Sequence, residues 1–211
     1  MLLNKVNLTV IDNFKSKIMK TLFYITALLL TSVIFGQEGV EVPLSTYVDV
    51  PNGTYIKDIQ NVFQPYIGTW KGVTSDNKEF TLQLVKFTKH LSSYPNGSYY
   101  YRDELVGKYQ LKDLTTGSII SNTLSAVNYE DYRIYVLGRP INSVLDLIFI
   151  DTTLCNNSLR IYIKDIPGSP NQLRYSSFYD TYSSYDCPYA NQTEIPLPIP
   201  GARKVVTLTK Q

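Results

Sequence analysis

The sequence predicts an all-β protein, a single antiparallel up-and-down barrel of about eight to nine strands with a short helix ahead of it. Three observations carry that expectation. Strand-like apolar runs recur along the chain with no helical segment between them. Asn96-Gly97 lies between two alternating runs, the strongest short-range hairpin cue. Clusters of Gly, Pro, Asn and Asp separate the remaining runs.

Taken in order, Val40 to Thr54 is punctuated by Pro and Gly and reads as an extended arm. Asp58 can cap a short helix through about Tyr66, because Ile59, Val62, Phe63 and Tyr66 fall at helical spacing. Pro65 ends or kinks it. Thr69 to Thr74 is the first strand, and Phe80 to Leu91 and Tyr99 to Leu111 form the hairpin. On its second arm Tyr99, Tyr101, Leu105, Tyr109 and Leu111 share one face, and Arg102, Glu104, Lys108 and Gln110 the other. Gly107 reads as a bulge. Further strands are expected at Ser118 to Val127, Tyr132 to Leu137, Ser143 to Asp151, Ser158 to Asp165, Gln172 to Tyr179 and Lys204 to Lys210. Between the last two, Tyr175-Ser-Ser-Phe-Tyr-Asp180 is nearly echoed by Tyr182-Ser-Ser-Tyr-Asp186. Pro196, Pro198 and Pro200 then force an extended crossing. A loop of this length is more often functional or disordered than incidental.

Ahead of the barrel, Met19-Lys20, an apolar run from Leu22 to Phe35 and Gly36-Gln37 make a secretory signal peptide. The run is too short for a comfortable membrane span, which takes roughly 20 apolar residues. Met1 to Ile18 is either an extension from a misplaced start codon or a long basic leader, and both readings remove it. Residues 1–36 are thus expected to be lost, 37–57 to form the arm and 58–211 the barrel. Cleavage takes four lysines and one aspartate from 20 basic and 18 acidic residues. A nearly neutral domain without a basic patch remains, which gives nucleic acid nothing to bind. Export to the periplasm, outer surface or medium favours a disulfide between Cys155 and Cys187, the only two cysteines. No cysteine follows the apolar run, so a lipid anchor is not expected.

Gly68-Thr69-Trp70 opens the first barrel strand and holds the only tryptophan. Here the sequence resembles the lipocalin-like (calycin) barrels, in which a G-x-W motif closes one end of the barrel. The resemblance implies a structural Trp70 beneath a basic side chain from near the last strand, with Arg203 or Lys204 as the candidate. Over the whole chain, the signal ending in Phe-Gly-Gln, the Gly-Thr-Trp core and the closing Val205-Val-Thr-Leu-Thr-Lys210 resemble an uncharacterised exported family of Bacteroidota, domain of unknown function 6705. That family implies no established activity or site.

Tyr99, Tyr101 and Tyr109 are the candidate lining of a cavity that is apolar but not dry. The alternative is that they simply fill a small barrel. Asp103 alternates onto the same face. Buried, its pKa would rise and it would become an acid or ligand anchor; a local register change that exposes it is the alternative the pattern favours. Tyr175, Tyr179, Tyr182 and Tyr185 have the composition of a contact loop for a protein or glycan, or of a solvated loop pinned by Cys187. His90, the only histidine, is expected at the surface. It has no partners at metal-ligand spacing and no evident serine to activate. No catalytic, metal or cofactor motif is present in the sequence. The leading expectation is an exported binding module for a small, partly apolar ligand, and the second is a structural or interaction module of the cell envelope. Catalysis would reopen if two carboxylates, or Asp103 and a hydroxyl, met in a cleft.

Overall fold

The computed structural model describes residues 19–21, 24, 39–46, 49–151, 157–179, 197–201 and 204–211. All of the signal's apolar core but Tyr24, the Gly36 cleavage point, Cys155, Cys187, Tyr182, Tyr185 and Arg203 lie outside these, as does the side chain of Tyr179. The chain divides into two units, Met1–Gly39 and Val40–Gln211. In the first, residues 19–21 and Tyr24 are helical.

The second unit is built from β1 (Glu41–Pro43), β2 (Tyr55–Lys57), β3 (Gly68–Val73), β4 (Lys78–Ser93), β5 (Tyr99–Asp113), β6 (Ile119–Asn122), β7 (Ile134–Val136), β8 (Val144–Asp151), β9 (Asn157–Asp165), β10 (Gln172–Tyr179) and β11 (Val205–Lys210). Eight of them close a ring in the order β3, β4, β5, β7, β8, β9, β10, β11, every pair antiparallel. Closure comes from Gly107↔Ile134 between β5 and β7 and from Lys210↔Trp70 between β11 and β3. Long β5 changes neighbours along its length. Parallel β2 meets Tyr101 and Arg102, β7 meets Val106 and Gly107, and β6 meets the far end.

Eight strands leave an interior just wide enough for side chains to fill. Here they fill it: Trp70, Phe80, Tyr109, Phe149 and Tyr175 are at most 2% exposed, and the leucines and isoleucines between them are equally buried. Alternation on β8 (Leu145, Leu147, Phe149) and β9 (Leu159, Ile161, Ile163) points these residues inward.

Four elements differ from the sequence reading. Asp58 accepts the Val62 and Phe63 amides at 2.8 and 3.3 Å, as a cap would. The segment behind it nevertheless runs as successive turns, closed by Gln64 N–H to Asn61 and Tyr66 N–H to Phe63 carbonyls. The expected strand at Ser118 to Val127 shrinks to β6, which stands off the ring because β7 occupies the place beside Gly107. Gly107 is no bulge: its register with Leu84 is regular. Its missing side chain matters because a Cβ there would lie 2.9 Å from that of Ile134. The bulge falls instead between Phe87 and His90, where Thr88 and Lys89 together face Asp103 and Lys89 takes φ 56°.

Candidate functional site

Trp70 sits at one end of the barrel, fully buried, its indole N–H donating to the Tyr66 carbonyl at 2.8 Å. The cation above it is Lys210, with Nζ 5.2 Å from the ring centre. Lys204 is committed elsewhere, 2.7 Å from Asp76, which holds that carboxyl far below its usual range. The reason is directional. β11 runs antiparallel to β3, so its end, not its start, lies against Trp70. Gly68 makes room, since a Cβ there would approach Lys210 Cε to 3.1 Å and the residue holds φ 133°. Trp70 is thus enclosed, with its N–H satisfied and a lysine over its face.

At the other end, the bulge wraps Asp103 rather than exposing it. Asp103 is buried, accepting the Lys89 amide on Oδ1 and the Asp58 amide on Oδ2, both at 3.1 Å. Lys86 Nζ lies 3.0 Å from it and 3.6 Å from Asp58, and the Tyr55 hydroxyl donates to Oδ1. Burial alone would raise its pKa. The bonds from Tyr55, Lys86, Asp58 and Lys89 outweigh burial, and the carboxyl stays below its usual range. The expectation of a raised pKa is therefore reversed. Burial and the same carboxylate push the Tyr55 phenol well above its ordinary value. Two carboxylates and a hydroxyl do meet here, but not in a cleft: the space beside Asp58 is about 10 Å³, room for a single water.

Beyond the bulge, β4 and β5 project past the ring as a blade, flanked on the β5 side by β2. Tyr99 and Tyr101 stand edge to face, ring centres 6.3 Å apart, and line an open hollow of about 370 Å³. Lys89 Nζ lies 5.4 Å from the Tyr101 ring. Tyr109 does not join them. It belongs to the barrel core, edge-on to Phe149 at 5.9 Å, and burial pushes its phenol up. Tyr175 is likewise core, not loop, its hydroxyl donating to the Pro200 carbonyl at 2.8 Å.

The larger space lies where the arm, the blade and the turn at 137–139 converge. A cleft of about 640 Å³ is bounded there by Val50 and Ile56 of the arm, Leu137 of the turn, and Tyr94, Tyr99, Tyr100 and Arg102 of the blade. The Tyr94 and Tyr100 hydroxyls lie 2.9 Å apart. Behind Arg102, His90 is half-buried rather than exposed, stacked on Tyr129 at 3.5 Å. The Tyr129 hydroxyl donates to Glu104, and burial together with that carboxylate raises its pKa strongly. Sequence alternation assigns Arg102 and Glu104 to the face away from the core. It carries no sign that the arm returns to cover that face, so Arg102, Tyr94, Tyr100, Tyr55 and Lys86 are missed. Among the described residues, no group of three or more His, Cys, Asp or Glu side chains could hold a metal, and no helix is long and apolar enough to cross a membrane.

Residues 19–175 match the family of unknown function DUF6705, and the chain belongs to that family. No curated protein matches it. Among solved structures it is similar to one described as EF1p2_mFAP2b bound to DFHBI, at 16% identity over 73% of this chain and 100% of that chain, with a TM-score of 0.33.

Proposed function

We propose that this member of the DUF6705 family is a binding module that holds a small, partly apolar ligand at the rim of its barrel, between arm and blade. One observation carries the reading: a cleft of about 640 Å³ adjoins a bore that side chains fill. That volume falls within the range of small-molecule sites, and its mixture of aliphatic, aromatic and hydroxyl groups is the usual lining of one. The site is therefore assigned to the rim and not to the barrel interior, where Tyr109 was expected to serve. Tyr99 is retained as a contact; Tyr101 faces the adjoining hollow. The protein acts outside the cytoplasm, supported by the signal-like segment from Met19, where the family match also begins. The reading includes no catalytic step, since Asp103 is enclosed and committed to four donors.

The filled bore also favours a second reading, an interaction module of the cell envelope. Leu91 and Tyr94 at the blade tip are 48% exposed and would meet a protein or glycan directly. Native mass spectrometry of protein purified from its own host separates the two. A bound small molecule that is lost in Leu137→Trp, which places an indole in the cleft, supports the first reading. Repeated absence of bound mass across lipid and glycan panels supports the second.

A further inference from the structure

We infer that the rim cleft selects ligands that join an anionic group to a flat apolar body, with Arg102 as the anchor for the anion. This rests on the cleft being the binding site. Arg102 lies on β5, opposite His90 of β4 and Ile56 of β2, so strands on both sides fix its backbone. Its Nε is buried and has no hydrogen-bond partner among the described residues. None of the ion pairs among the described residues includes it. Glu104, the next acid on that strand face, is engaged by the Tyr129 hydroxyl. A half-buried guanidinium on the wall of an open space can receive an acceptor there through its outer N–H groups, and a carboxylate, sulfonate or phosphate offers the matching geometry. The charged groups bounding the cleft are Arg102, Arg139 and Asp49, two cations against one anion. Tyr94, Tyr99 and Tyr100 supply ring faces around that charge, against which a flat body can lie.

Two fluorescent probes that share an anilinonaphthalene body test this on the full chain. The first, 8-anilinonaphthalene-1-sulfonate, carries an anion, and the second, N-phenyl-1-naphthylamine, does not. The wild type should bind the sulfonate at one saturable site, at least about tenfold tighter than the neutral probe. Arg102→Gln should abolish that preference by weakening the sulfonate far more than the neutral probe, and Arg102→Lys should keep part of it. Leu137→Trp should weaken both. Equal affinity for the two probes in the wild type, or a preference that survives Arg102→Gln, overturns the anion inference and leaves the cleft standing. If neither probe binds, or Leu137→Trp changes neither, the cleft itself fails and the inference falls with it. Should Arg102→Gln not fold, as judged by its thermal melt, the wild-type ratio and Arg102→Lys decide the matter.

Discussion

Asp103 shows how a side chain that sequence alternation marks as a misfit becomes a hinge pin of the fold. A buried carboxylate is tolerated only when donors replace its hydration, and here a tyrosine, a lysine and two backbone amides do so. Asp103→Asn keeps the shape but leaves Lys86 facing a neutral group. The expected loss is about 3–5 kcal/mol at pH 7, measured by urea unfolding. The pH dependence follows from the depressed folded pKa. The contribution is complete above the unfolded aspartate value of about 3.9 and is lost as pH falls below it. Asp103→Asn should therefore lose stability less steeply in acid than the wild type, while Asp76, also depressed, continues to contribute with the same sign in both. At the opposite end, Lys210→Met should cost about 0.5–1 kcal/mol by removing the cation over Trp70. Gly68→Ala should cost more, about 1–3 kcal/mol, because the new methyl meets both an unfavourable backbone angle and the lysine stem. The Trp70 motif was legible because its residues are contiguous. Of the two candidates for its cation, Lys204 lies at the end of β11 away from Trp70, because strand direction is a property of pairing and not of composition, and Arg203 lies outside the described residues.

Elements were legible wherever local chemistry alone decides them. The Asn96-Gly97 turn, the alternation of β8 and β9 and the start of β10 stand where the sequence places them. Errors gathered where a neighbour decides. Ile119 and Ile120 look like core residues, but no inward position awaits them and they are 56% and 48% exposed. The turn before β8 falls at Asn142-Ser143, with φ 50° and 59°, a pair with neither the Gly nor the Pro that marks a turn in the sequence. A type I′ turn prefers glycine at its second position, so Ser143→Gly should raise stability by about 0.5–1 kcal/mol in thermal unfolding. Gly107 illustrates the converse. The sequence marks it as irregular, and its function is instead close approach of β5 to β7 at the seam that closes the barrel. Gly107→Ala should destabilise by about 1–3 kcal/mol through overpacking against Ile134.

At the scale of the molecule, an eight-stranded ring of small circumference leaves a choice between a cavity and a packed core, and large aromatic residues from opposite walls decide for packing. Residue types on the strands announce an apolar interior without stating its radius, which is why tyrosines on β5 read equally well as cavity lining and as filler. The arm is the other part invisible to periodicity. Its two short strands add to β5 in parallel, and only that return creates a walled cleft against the blade. The cysteines expected to bridge belong to this scale too: in an exported protein, alkylation of Cys155 and Cys187 should occur only after reduction, and reaction of the native protein would remove the bridge from the account. On the proposed reading, ligands meet this protein at the rim and not in the bore, and backbone-amide NMR during titration with N-phenyl-1-naphthylamine distinguishes the two. Rim binding gives shifts concentrated at Val50, Tyr94, Tyr100 and Arg102; shifts concentrated at Leu84, Leu147 and Ile161, deep in the barrel, would overturn it.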